Sequence, residues 1–186
     1  MIPPMSLPVK RPINRNRRAL ILLLLLAPAF YFFVFRGVRF FKVPSISMQD
    51  TLQVGDYLVT LRESEYHRGD IIVFKNEKDS DYMVKRIVGV AGDTINVNTG
   101  ALYINGRFAS EPYIAEPMAY EFKHPVTLKP GEVFVLGDNR NWSDDSHVDL
   151  VPTPQSNIIG RVVYRYFPFD RLGPLRGYPL TNVDGA

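Results

Sequence analysis

Tyr82-Met83-Val84-Lys85-Arg86-Ile87-Val88-Gly89-Val90-Ala91-Gly92-Asp93 is the stretch that decides the fold of this chain. It is apolar, rich in β-branched residues and closed by Gly-Asp, which predicts a strand over Tyr82–Val90 running into a turn. The same pattern extends in both directions. Upstream lie Val54–Thr60 and Ile71–Lys75; downstream lie Thr94–Val97, Leu102–Ile104, Glu132–Leu136 and Ile158–Phe167. Turn residues separate them at Gly55-Asp56, Gly69-Asp70, Lys129-Pro130-Gly131 and Gly137-Asp138-Asn139. Asn105-Gly106, leading into Arg107–Ala109, is a two-residue hairpin signal because both residues tolerate positive φ. No long helical period and no internal repeat follows residue 36. The expected fold is therefore mainly β, a coiled antiparallel sheet or open barrel over residues 43–186, turn-rich from Pro168 onward.

The N-terminal end has a different composition. Ala19–Phe35, ALILLLLLAPAFYFFVF, is seventeen residues without a charge, just long enough for a transmembrane helix at 1.5 Å per residue. Pro28 is tolerated better in lipid than in a soluble helix. A cleaved secretory leader is the alternative, since Ala27-Pro28-Ala29 has the small-x-small form. However, proline sits between the alanines, and Phe30–Phe35 carry the apolar run past that cut. An uncleaved anchor is expected, behind a basic arm at 1–18 and ahead of a linker at 36–42. The arm holds five of the six basic residues in 1–36 and no acid, so the positive-inside rule places the N-terminus in the cytoplasm and residues beyond 36 on the trans side.

Of the 22 Lys and Arg, sixteen remain after residue 36, against nineteen acids. The basic character belongs to the arm, and a nucleic-acid-binding role is not expected. The 186 residues contain no cysteine, which excludes disulfide scaffolds, thiolate metal sites and cysteine nucleophiles such as those of sortases. His67, His124 and His147 form no metal-ligand pattern, and no P-loop, GxGxxG or SxxK motif occurs. No metal or other cofactor is expected.

Chemistry is left to three segments: Val43-Pro44-Ser45-Ile46-Ser47-Met48-Gln49-Asp50-Thr51-Leu52, the strand around Lys85, and Gly137-Asp138-Asn139-Arg140-Asn141-Trp142-Ser143-Asp144-Asp145-Ser146-His147. Taken singly they read as a turn, a strand lysine and a loop. Lys85 is the unusual residue. Period 2 puts it on one face with apolar Met83 and Ile87, where burial favours the neutral amine. A neutral amine is a competent general base for a serine hydroxyl. Bringing a lysine from about 10.4 to near neutrality costs roughly 4–5 kcal/mol, within the reach of burial. The competing structural reading pairs Lys85 with an acid such as Asp81.

In this order behind an N-terminal anchor, the segments resemble the boxes of type I signal peptidases, the membrane-bound Ser/Lys proteases of peptidase family S26. Gly69-Asp70-Ile71-Ile72-Val73-Phe74 is similar to that family's GDIVVF-like strand. The resemblance implies a coiled β fold, cleavage of signal peptides from exported preproteins after small residues at −1 and −3, and contact with the lipid bilayer and the secretion translocon. It places the nucleophile at Ser47 and the general base at Lys85. The Ser47 N–H and the Ser45 hydroxyl would form the oxyanion hole, and Ser143 would orient the amine. Arg86, Asp138 and Asp145 would be structural residues near the site, with Arg86 paired to Asp138. Met48, Tyr82, Met83 and Val84 would border the substrate pockets. The implied location is the inner or plasma membrane, single-pass, with Ser47 only eleven residues beyond Arg36.

Two positions depart from the family pattern. Asp50 stands where the family has proline, and His147 where it has arginine, which makes support of Asp145 pH-dependent. The short Lys85–Gly137 spacing resembles the compact form without a large inserted β subdomain. Lysine as base points to the bacterial or organellar branch. A conjugative-transfer or pilin-processing relative of narrow range, and an inert membrane-tethered binding domain, are the alternatives.

Overall fold

The computed structural model describes residues 15–35, 37–77, 81–180 and 183. The chain divides into two compact units, residues 1–36 and 37–186. In the first, helix α1 covers Arg15–Phe35 with Pro28 inside it. It therefore starts within the last residues of the basic arm. Among the described residues, no helix is long and apolar enough to cross a membrane.

The second unit is antiparallel β throughout. Its strands are β1 (Arg39–Lys42), β2 (Tyr57–Leu61), β3 (Ile71–Lys75), β4 (Tyr82–Gly89), β5 (Thr94–Asn98), β6 (Ala101–Ile104), β7 (Arg107–Phe108), β8 (Val126–Thr127), β9 (Glu132–Leu136), β10 (Thr153–Pro154), β11 (Ile158–Phe167) and β12 (Gly173–Pro174). An eight-stranded sheet has the order β1-β2-β11-β3-β4-β9-β10, with β12 paired to β11. A four-stranded sheet has the order β7-β6-β5-β8. Residues 39–42, part of the expected linker, thus belong to a sheet. The short interval between Lys85 and Gly137 still accommodates a separate small sheet.

Burial explains the patterns. Strand β3 reads as a continuous apolar run because both its faces are covered. Ile71 and Val73 pack with Val43, Met48, Leu52, Leu58, Val84 and Val162 on one side. Ile72 and Phe74 pack with Ile87, Val133, Val135 and Ile158 on the other. Strands β5 and β6 alternate because only one face is buried. Their Ile95, Val97, Leu102 and Ile104 join Val88, Phe134 and Leu136 of the large sheet in a shared core. Each such side chain contributes roughly 1.5–3 kcal/mol when buried. Asn105 and Gly106 turn β6 into β7 with φ of 53° and 78°, the geometry a tight hairpin requires.

Candidate active site

The loop from Val43 to Asp56 hangs between β1 and β2 and carries Ser45 and Ser47. Its base is closed by Val43 N–H donating to Asp56 O (2.8 Å) and Gly55 N–H to Val43 O (3.0 Å). Met48 and Leu52 are buried and anchor its middle. Asp56, also buried, accepts from Gln53 N–H (2.9 Å) and pairs with Arg165 (3.2 Å) and Arg171 (2.6 Å). The far side is tied to the segment after β9. Thr51 Oγ1 donates to Asp138 Oδ2 (2.6 Å), Asn139 N–H to Ser47 O (3.1 Å), and Asn139 Nδ2 to Ile46 O (3.2 Å). Ser47 is held at 7% exposure, and its Oγ accepts a hydrogen bond from the exposed Ser45 Oγ at 3.3 Å.

Lys85 lies in β4, opposite Ile72 of β3. It is 2% exposed. Its neighbours along the same face of β4, Met83 and Ile87, belong with Ile72 and Phe74 to one apolar cluster. The period-2 expectation is met. The amine donates to Ser143 Oγ at 2.8 Å, and not to Asp81. Burial depresses the Lys85 pKa below its ordinary value, opposed by the charges of Asp145, Asp144 and Asp138. No direct hydrogen bond joins Lys85 to Ser47. Catalytic hydrogen bonds commonly tighten only with substrate in place.

Arg86 points to the opposite face. Its Nε and Nη2 hold both oxygens of Asp138 (2.8 and 2.7 Å), Nη1 donates to Gly69 O (2.8 Å), and its guanidinium lies 4.0 Å from the Tyr113 ring centre. Burial alone would lower the Arg86 pKa, but Asp138 outweighs it and the net shift is upward. The pair expected from sequence is present, and through Thr51 it also braces the serine loop.

Ser143 Oγ in turn donates to Asp145 Oδ2 in a short hydrogen bond. Asp145 also accepts from Gly137 N–H (2.8 Å), His147 N–H (3.2 Å) and His147 Nδ1 (2.7 Å). Burial favours the neutral acid, yet these donors hold its carboxyl below the usual carboxylate range. Gly137 packs where no side chain fits: a Cβ would overlap Ser143 Oγ and the Ser47 carbonyl oxygen.

Ser45, Ser47 and Lys85 meet in a cleft of about 210 Å³ lined also by Val43, Pro44, Met48, Asn76, Asp81, Tyr82, Met83, Val84 and Asp144; Ser143, Asp145, Arg86 and Asp138 stand behind its lining. Every residue expected at a pocket is on that wall. Asp50 is exposed and is not part of it. Asn76 had no sequence signal; it and Asp81 reach the cleft from the β3–β4 connection, and Asp144 from the segment after β9. Arg140 is buried and holds Glu111 through Nη1 (2.7 Å) and Nη2 (2.5 Å). The His147 ring stacks on Tyr120 at 4.1 Å. Among the described residues no group of three or more His, Asp or Glu is placed to hold a metal ion.

Comparisons with known proteins agree on one family. The model of "Signal peptidase, peptidase S26" matches residues 14–167. Probable signal peptidase I-1 of Synechocystis sp. is 38% identical over 181 residues, covering 91% of this chain and 90% of that protein. Probable signal peptidase I-2 of the same organism is 40% identical over 154 residues, 75% of this chain and 70% of the relative. Signal peptidase I of Bacillus licheniformis is 31% identical over 169 residues, 83% and 89% of the two chains. A crystal structure of a signal peptidase I from Enterococcus faecalis aligns with a TM-score of 0.48 at 31% identity, over 53% of this chain and 97% of that one.

Proposed function

The chain belongs to the signal peptidases of family S26 and is a serine peptidase of the signal peptidase I type, and on that premise we propose that Ser47 is its nucleophile and Lys85 its general base. One observation carries the assignment: a buried lysine amine, fastened to Ser143, on the wall of the cleft that holds Ser47.

The substrate is the signal peptide of an exported preprotein. Neutral Lys85 takes the Ser47 hydroxyl proton as Oγ attacks the scissile carbonyl. The oxyanion is met by the Ser47 N–H and the Ser45 hydroxyl, each such donor contributing about 2.7–4 kcal/mol to the transition state. The resulting ammonium of Lys85 passes its proton to the leaving amine, which departs as the mature chain. Lys85, neutral again, takes a proton from water as the water attacks the acyl-enzyme, and returns that proton to Ser47. The shallow apolar wall of Val43, Met48, Tyr82, Met83 and Val84 supports small side chains at −1 and −3, because larger ones would overlap it. Ala19–Phe35 would anchor the enzyme in the inner or plasma membrane with the arm in the cytoplasm and the β unit on the trans side, where preproteins leave the translocon.

Full-length protein in detergent is expected to cleave a preprotein bearing Ala at −1 and −3, and Ser47→Ala and Lys85→Ala each to abolish cleavage with an unchanged thermal midpoint for Ser47→Ala. Undiminished cleavage by either variant would overturn the dyad.

A further inference from the structure

Strand β4 is paired unequally along its length. Tyr82 to Lys85 pair with β3 on one side, and pairing with β9 on the other begins only at Arg86. Among the described residues, no strand flanks the second edge of Tyr82–Lys85, the same stretch that lines the catalytic cleft. An extended peptide completes such an edge through main-chain hydrogen bonds, and its side chains then alternate between the two faces of the sheet.

The two faces differ. Val84 packs with Val43 and Met48 on one, the apolar wall that supports small side chains at −1 and −3. Met83 packs against the cluster of Phe74 and Val135 on the other. On that side a second cavity, of about 140 Å³, continues from the catalytic cleft and shares Asn76, Met83 and Asp144 with it. A residue at −2 has the opposite parity to −1 and −3, so its side chain is directed towards this second cavity.

The lining has the chemistry of a cation subsite. Glu77, Asp144, Asp145 and Asp149 supply carboxylates, against one ammonium, Lys75, among the described residues. Asp145 is engaged by Ser143, Gly137 and His147, and Glu77 accepts from Asn157 Nδ2 (2.9 Å). Asp144 is exposed, stands where the two cavities join, and shares the cleft lining with Asp81.

We propose that Asp144 is a specificity-determining residue, through which the peptidase prefers substrates with Lys or Arg at −2 over those with Asp or Glu there. The proposal deepens the Ser47/Lys85 reading and rests on it. The apolar part of the cavity, Phe74, Met83 and Val135, receives the methylene stem of a lysine or arginine, whose charged head then lies among the carboxylates. An acidic side chain at −2 brings like charges together instead.

The experiment compares kcat/KM of the full-length protein in detergent for two preproteins that differ only at −2, Lys against Glu. Wild type is expected to prefer Lys about tenfold, since each exposed charge pair contributes a few-fold at most. The preference should fall towards one in 1 M salt, where the Debye length is about 3 Å. Asp144→Asn is expected to reduce it to about threefold, and Asp144→Lys to reverse it. Both preproteins meet the same dyad, so their ratio cancels any change in Lys85 basicity that follows from removing the Asp144 charge.

Equal rates for Lys and Glu in wild type, a preference undiminished by 1 M salt, or an unchanged ratio in Asp144→Lys would each overturn the proposal. If Asp144→Lys does not melt cooperatively, Asp144→Asn decides, and a ratio equal to that of wild type overturns it. Undiminished cleavage of both preproteins by Ser47→Ala would instead remove the dyad, and with it the premise. The −2 ratio is read in wild type, so the two failures are told apart.

Discussion

A lysine amine placed among Met83, Ile87 and Ile72 costs stability, and at position 85 that cost depends on pH. In the unfolded chain Lys85 titrates near 10.4; in the folded chain burial lowers the value. Between the two values the unfolded chain binds a proton that the folded chain does not, so stability rises with pH through that window, by about 1.4 kcal/mol per pH unit at most, and is flat below it. Lys85→Met removes the group from both states. The variant is expected to be inactive and to melt above wild type at neutral pH, the gap closing as pH approaches about 10.4. Thermal melts from neutral to alkaline pH check this, and a variant melting below wild type throughout would contradict it. Lys85 was legible because its flanking residues repeat every second position. Its link to Ser143 spans 58 residues and came only from the ordered motifs. Tyr120 against His147 and Glu111 against Arg140 left no trace, because side-chain contacts between distant loops have no local signature.

At the level of elements, the site is a loop braced against the end of a strand. The Val43–Asp56 loop is pinned to the turn after β9 by Thr51, Asn139 and the buried Arg86–Asp138 pair. Removing one partner of such a pair costs about 3–5 kcal/mol, because the other charge stays buried. The closest approach is at Gly137, where a Cβ would meet both Ser143 and the Ser47 backbone. Gly137→Ala is therefore expected to lower kcat at least about 10²-fold, since a 1 Å displacement of a reacting group has that effect. Overpacking should also cost about 1–3 kcal/mol of stability. Steady-state kinetics with melts measure both, and a kcat within twofold of wild type would show that the approach can relax. Among the strands, β3, β9 and β11 coincide with the apolar runs read from sequence. The two-residue strands β8, β10 and β12 are too short to carry a period. Strand β1, Arg-Phe-Phe-Lys, shows no alternation, and pairing with β2 is what makes it a strand.

Over the whole molecule, charge and hydrophobicity are segregated along the chain. The β unit has a core of its own, shared by both sheets, although Phe40, Phe108, Trp142 and Phe169 stay exposed. Helix α1 has none: Leu20 to Leu26 are each more than half exposed, and seven consecutive residues cover every side of a helix at 3.6 residues per turn. A helix apolar all round needs either a protein core or lipid around it. No acid accompanies the basic residues before it, which suits a cytoplasmic arm. The anchor proposal therefore predicts where the chain partitions. An arginine at the centre of a membrane helix costs about 2.5–3.5 kcal/mol, so Leu25→Arg with Leu26→Arg should remove most of the driving force for insertion. Wild type is expected to stay in membranes washed with carbonate and the double variant to appear in the wash, while both cleave a soluble peptide carrying the −3 to −1 residues. Equal extraction of the two would mean that residues 19–35 do not hold the enzyme in the bilayer. Retained peptide cleavage by the extracted variant would separate the anchor's role, which is to bring the cleft to its substrates, from the chemistry of Ser47 and Lys85.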